Sequence, residues 1–330
     1  MGIRYYFTTG FKRVLASPSL IFWVYFTGVV VALPLTAALR EALKESFGTS
    51  LVSDNLRQGF DLGWHGEFAS SRSGLSTTFG PEVIGVMPVL SNLDRMLGGA
   101  LFAVDRTVLG AGFLFLLAWA FFAGGIVSRF ARPEEPFARP VFFSNSAAYF
   151  FRFLRLLVLS LVFYWVLFRW VARPLGSLME RVTVDTTREW TFILYTGAVY
   201  LLVAFLLMIG NLAVDYAKIS MVVEGRRSVL LGLLRGLRFV ASTPRQSLGL
   251  YLSLLLVGVL LLTAYGLTAP GPGQSSNFTL IGAFLVSQVF IIARVTLKLW
   301  FLASQTILFR SVEDGQQRAA TAPVAAAPVA

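Results

Sequence analysis

Apolar residues recur along this chain in six runs, each long enough to cross a bilayer as a helix. They lie at Leu20–Leu39, Val108–Val127, Leu156–Ala172, Thr191–Ala213, Leu248–Leu267 and Phe278–Phe301. Helices are the expected form, because lipid offers the backbone no hydrogen-bond partners. Pro34, inside the first run, predicts a kink. That run is longer than the core of a signal peptide, so it is read as a retained span.

The runs fall into three pairs, and a basic amphipathic stretch precedes each pair: "RYYFTTGFKRVLASP", "SNSAAYFFRFLR" and "RRSVLLGLLRGLRFVASTP". The first and last share a pattern, "GFKRVLASP" at 10–18 and "GLRFVASTP" at 236–244. Both open on glycine, carry a basic third residue and a valine at the fifth, and close on Ser/Thr-Pro, which suggests a repeated helical hairpin. Such stretches suit helices lying on the inner leaflet, with Lys12, Arg13, Arg152, Arg155, Arg227, Arg235 and Arg238 meeting anionic lipid headgroups. They equally suit extensions of the spans themselves. Pro18 and Pro244 would break the helix before the chain turns into the bilayer.

The expected fold is therefore an all-α polytopic membrane bundle: six transmembrane helices as three hairpins, with amphipathic inner-surface helices. It divides into 1–39, an inner-surface helix and span one; 40–107, an extracytoplasmic region; 108–310, a five-span bundle; and 311–330, a disordered cytoplasmic tail. The tail ends in the low-complexity "TAPVAAAPVA". In the extracytoplasmic region "REALKESFG" predicts a helix ending near Gly48, with Glu41 and Lys44 able to pair on one face. "TSLVSDNLRQ" reads as a second helix, and "EVIGVMPVLSNLDRML" as an amphipathic run back to the membrane.

Composition supports this class. Hydrophobic residues make up 56% of the 330 and charged residues only 14%, with a mean hydropathy of +0.72. The net charge of +11 could suggest nucleic acid, but its distribution reads as topology instead. With the N-terminus inside, sixteen Lys and Arg fall in inner segments and nine in outer loops. That bias favours both termini in the cytoplasm. No cysteine is present, so disulfides, thiolate metal sites and a cysteine nucleophile are excluded. One histidine, His65, excludes a multi-histidine metal centre within one chain.

Candidate chemistry concentrates at the inner end of spans four and six. Asn211, Asp215 and Lys218 follow i, i+4, i+7 spacing and share a helix face. Ser287, Arg294, Lys298 and Gln305 form a second polar stripe. Embedded charge needs a partner, so an ion pair from Asp215 to Arg294 or Lys298 is expected to tie the two spans, with Lys218 as a competitor. The same cluster could instead bind an anionic ligand. The spans as bounded above hold no carboxylate, which counts against proton-coupled transport. His65, with Asp61 and Glu67 nearby, reads as a loop histidine. Ala120 and Gly124 suggest close helix packing. No Walker loop, zincin motif or nucleophile elbow occurs.

The stretch "DYAKISMVVEGRRS" after an even-numbered span, followed by "LLGLLRGLRFVASTP", resembles a broad set of uncharacterised bacterial six-span proteins. These are similar to the membrane domain found beside some glycerophosphodiester phosphodiesterases. The phosphodiesterase catalytic domain has no counterpart here, so its activity is not implied. The expected role is a non-enzymatic scaffold or partner subunit, with no cofactor, no nucleic acid, membrane lipids as partners and any protein partner unknown. The alternatives are a lipid or small-solute transporter with a cytoplasm-side cationic site, or a membrane enzyme using the extracytoplasmic loop.

Overall fold

Breaks in the helical chain fall where proline or glycine makes continuation costly. In the computed structural model, residues 2–48, 52, 55, 59, 61–71, 73–80, 86–97, 105–183, 189–271 and 276–321 are described. Among them α1 spans Ile3–Leu15 and α2 spans Pro18–Phe47. Then come α3, Leu62–Ser71; a 3₁₀ turn, Gly74–Thr78; and α4, Met87–Leu97. Next are α5, Arg106–Ala131, and α6, Arg139–Val166; α6 runs on through a π-helical stretch at Leu167–Ala172 into α7, Arg173–Thr183. The remainder is α8, Glu189–Val223; α9, Val229–Ser242; α10, Pro244–Thr268; and α11, Asn277–Thr321. No strand occurs among the described residues. Six helices are long and apolar enough to cross a membrane: α2, α5, α6 with its continuation, α8, α10 and α11. The protein is an all-α polytopic bundle.

Pro18 and Pro244 each occupy the first helical position of a span, where the missing N–H costs nothing. They separate α1 from α2 and α9 from α10, so these two amphipathic stretches are helices of their own. The middle stretch differs. It is the first half of α6, which starts at Arg139-Pro140 and continues unbroken into the span.

The amphipathic elements share one packing rule. Each crosses the even-numbered span of the hairpin before it: α6 on α5, α9 on α8, and α1 back onto α11, which closes the ring. Small residues permit the approach. A Cβ on Gly236 of α9 would strike the Ala213 carbonyl and lie 2.9 Å from the Ala217 nitrogen of α8. A Cβ on Gly10 of α1 would strike Ser304 of α11. Gly124 and Gly125 of α5 lie against Asn145, Ser146 and Phe142 of α6, so the expected small-residue packing at Ala120 and Gly124 is met. Tyr6, Gly10 and Val14 of α1 are buried at four-residue intervals, as are Gly232, Gly236 and Val240 of α9. The shared nine-residue pattern thus encodes a docking face.

The three even spans α5, α8 and α11 also pack on one another, with α2, α6 and α10 outside them. The main hydrophobic core lies at the end carrying the termini. It draws on Ile126 and Phe130 of α5, Phe153 of α6, Tyr216 and Met221 of α8, Phe239 of α9, and Leu302 and Phe309 of α11. Toward the far end the helices carry exposed apolar faces, including Leu33, Leu114, Leu201, Leu260 and Phe284. A small separate cluster of Leu167, Phe168 and Ala172 with Val203 and Leu207 holds the far ends of α6 and α8 together. Tyr265 of α10 stacks on Phe290 of α11 at 3.9 Å between centroids. Tyr25 of α2 donates to Gln288 of α11 at 2.7 Å.

Charged side chains near the termini settle several expectations differently. The last carbonyls of α5 have no helical donor, and a helix C-terminus attracts cations. Arg13 donates to the Phe130 carbonyl at 2.8 Å, and Arg310 donates to that of Ala131. Arg129 reaches the carbonyls of Arg132 at 3.3 Å and Pro133 at 3.4 Å, and also that of Glu135. Arg13 was expected at the lipid surface; it caps α5 instead. Burial, and then nearby Arg310, hold its pKa below the usual arginine value. Arg235 is likewise drawn inward. It contacts Glu224 at 3.0 Å and also pairs with Glu313 of α11, while Arg226 binds Glu224 too. Its side chain is 23% exposed, so it joins α9, the α8 end and α11 rather than facing headgroups. Arg152 lies over Tyr149 and donates to the Arg226 carbonyl at 3.4 Å. Lys12, Arg155, Arg227 and Arg238 remain exposed.

Two boundaries move and one pairing differs. The tail expected from 311 is helical to Thr321, because α11 continues; residues 322–330 lie outside the described residues. The helix of span four extends to Val223, so Asp215 lies within that helix, beyond the bounds expected for the span from the sequence. Glu41 pairs with Arg40 at 3.3 Å, not with Lys44. The helix before Gly48 ends as expected, at Phe47, with Gly48 at φ 52°. The second helix expected at 49–58 lies largely outside the described residues.

Candidate functional site

A cavity of about 310 Å³ sits where the packed core gives way to the looser far half. Its walls come from five of the six spans. Leu116, Trp119, Ala120 and Ala123 of α5 face Phe301 and Leu302 of α11, and Phe153, Leu156 and Leu157 of α6 complete the apolar side. The polar side is made by Ser160 and Tyr164 of α6, Asn211, Asp215 and Lys218 of α8, Tyr251 of α10 and Lys298 of α11.

Four of the five residues singled out in the sequence therefore meet at one place. Asn211, Asp215 and Lys218 present one face of α8 to the cavity, as their spacing requires. The expected tie from Asp215 to span six is not formed. Asp215 pairs with Lys218 at 3.0 Å, three residues on, with side chains 21% and 15% exposed. The intrahelical partner is already on the same face and needs no movement of the spans.

Among the described residues Lys298 has no carboxylate within 4 Å. Its ammonium lies 3.5 Å from the Trp119 ring centroid and 5.7 Å from that of Phe115. Indole is the strongest aromatic partner for a cation, and this contact holds the charge in place without neutralising it. Lys298 is exposed along the cavity wall. Arg294, the fifth residue, lies outside the lining. Its guanidinium sits 5.8 Å from the Phe290 ring centroid, and the residue is exposed.

The remaining groups are mostly donors. Tyr164 gives its hydroxyl hydrogen to Asn211 Oδ1 at 2.5 Å, which leaves the Asn211 amide nitrogen as a donor. Lys298, Lys218 and Asp215 together carry one net positive charge. The arrangement can accept an anion of single charge whose remainder is apolar. Trp119, Tyr164 and Tyr251 were not singled out from the sequence. The only signal for the tyrosines was a hydroxyl inside or beside a greasy run, and nothing in one dimension brings Trp119 to Lys298.

The far-side groups make local contacts. His65 Nε2 lies 2.9 Å from the Phe79 carbonyl, and Asp61 accepts from the Trp64 amide at 3.0 Å. Trp64, Phe68 and Phe79 pack as an aromatic cluster with Phe47 of α2. Among the described residues no group of three or more acidic or histidine side chains is placed to hold a metal ion.

No family model, curated protein or solved structure matches this chain.

Proposed function

We propose that the protein binds an amphiphile bearing a single negative charge, with its head in the interhelical cavity, as a carrier or receptor for that molecule in a bacterial inner membrane with both termini cytoplasmic. The observation that carries this reading is Lys298: a cation held by Trp119 beside a cavity, with no carboxylate within 4 Å among the described residues. A charge so placed in a membrane helix needs an anion or water. The cavity walls are apolar enough to take hydrocarbon, and the volume suits a headgroup-sized fragment. A scaffold role, the first expectation from the sequence, gives no reason for a cavity beside this cation. The resemblance of 215–244 to the phosphodiesterase-associated membrane domain belongs to the same proposal, since these residues build the α8 end and the α9 docking helix.

The test uses the full chain in a neutral detergent, titrated with dihexanoyl phosphatidylglycerol and, separately, dihexanoyl phosphatidylcholine, with binding read by native mass spectrometry. The anionic lipid should bind more tightly. Lys298→Gln should weaken it roughly tenfold, the loss of one charge-assisted contact. Lys298→Arg should retain most of the affinity. Equal binding of the two lipids, or indifference to Lys298→Gln, would refute the reading.

A further inference from the structure

The outer spans do not seal the bundle equally. α2 packs on both α5 and α11, and α6 packs on both α5 and α8. By the same rule α10 should fill the groove between α8 and α11. It packs on α11, α1 and α9, but makes no extended contact with α8. The seam between α8 and α10 is therefore the least packed of these boundaries, above the level where Tyr251 and Asn211 meet the cavity. The residues leading outward from that level are apolar. Ala204 of α8 lies seven residues before Asn211 on the same face, and Leu255 of α10 lies one turn beyond Tyr251. Ala204 is exposed and Leu255 is 45% exposed.

Depth and charge agree with access at this seam. Asp215 lies 22 residues along α8 from Ile193 and Lys298 lies 21 along α11 from Asn277. At 1.5 Å per residue both stand roughly 30 Å from the far ends, about one hydrocarbon thickness. The cavity thus opens at headgroup level on the side of the termini, just beyond α1 and α9. Arg294 is one turn from Lys298 on the same face of α11, toward the bilayer interior, and among the described residues it has no carboxylate within 4 Å. Two cations in succession on a membrane helix favour an anion arriving from the lipid phase. A cavity of about 310 Å³ cannot also enclose two acyl chains, so they must leave it.

We infer that the ligand is an anionic phospholipid of the leaflet on the side of the termini, which enters sideways between α8 and α10. Its phosphate sits at Lys298, and its chains lie outward along Ala204 and Leu255. This rests on the cavity reading above but adds both the route and the source of the ligand. A water-soluble anion of the same head chemistry would not need the groove.

The absence of cysteine makes the test direct. Bimane is attached to the full chain at Ala204→Cys or Leu255→Cys, with Val162→Cys on the exposed face of α6 as a bulk-lipid control. Each protein is placed in phosphatidylcholine vesicles holding a small fraction of phosphatidylglycerol brominated on its acyl chains, or of phosphatidylcholine brominated likewise. The groove labels should be quenched severalfold more by the anionic lipid than by the neutral one, while the control sees no preference. Lys298→Gln in the same background should abolish the preference. Absence of preference at both groove labels overturns the lateral route. If short-chain phosphatidylglycerol then still binds in a Lys298-dependent way, the cavity reading stands and only the lipid route falls. If neither is seen, both fall.

Discussion

The docking of α9 on α8 rests on one glycine, and its neighbour on the same helix supplies the control. Changing glycine to alanine inside a helix favours folding by about 1 kcal/mol, whatever the surroundings. At Gly232 the new methyl meets the Met221 side chain, with Cγ at 3.1 Å. A thioether chain is flexible and moves aside. Gly232→Ala should therefore be neutral or stabilising by up to about 1 kcal/mol. At Gly236 the methyl meets the Ala213 carbonyl and the Ala217 nitrogen, both backbone atoms of α8. Backbone in a packed helix cannot step aside unless α9 lifts, and such overpacking costs about 1–3 kcal/mol. The two variants share the helix-propensity gain, so their difference isolates the clash. Thermal unfolding of the full chain in mild detergent, followed by tryptophan fluorescence, should place Gly236→Ala below Gly232→Ala by on the order of 2–10 °C. Gly10→Ala should fall with Gly236→Ala, because the Ser304 Cα lies 3.0 Å from the added methyl. A Gly236→Ala protein that melts at or above Gly232→Ala would refute close docking of α9.

Other elements yield shorter tests. Tyr164→Phe removes the 2.5 Å hydrogen bond to Asn211 and should lower stability by about 1 kcal/mol in the same assay. Arg235→Ala strips Glu224 and Glu313 of a shared partner and should cost about 1–3 kcal/mol; adding Glu313→Gln to it should cost less than the sum of the two single changes, since both remove one contact. Asp105 accepts from the Thr107 side chain and from the Thr107 amide at 2.8 Å ahead of α5, and these hydrogen bonds hold its pKa below the usual carboxylate value. A depressed carboxylate stabilises the fold above its unfolded pKa, and that contribution fades as pH falls through the folded value. Asp105→Asn should therefore be less stable than the wild type at neutral pH, and the difference should shrink on acidification below about pH 4. A difference that persists unchanged to low pH would contradict this account of the cap.

The spans, their pairing and the helix breaks at Pro18 and Pro244 are written in one dimension, because hydrocarbon crossing depends on run length and proline removes a backbone donor wherever it stands. Spacing alone also placed Asn211, Asp215 and Lys218 on one face, since helical periodicity is fixed. Which charge pairs with which was not legible there. Asp215 had two candidate partners on span six and one intrahelical lysine, and only the tertiary structure shows that the intrahelical pair forms while Lys298 lies against Trp119 and Phe115. Arg13 and Arg235 read as surface charges because their helices are basic and amphipathic. Their true partners, the C-terminus of α5 and the carboxylates of Glu224 and Glu313, come from distant segments. The closure of the ring by α1 on α11, and the groove that α10 leaves beside α8, exist only once all three hairpins stand together. Local pattern determines what each segment is, whereas the cavity belongs to the spaces between segments, and those are decided by packing across the whole chain.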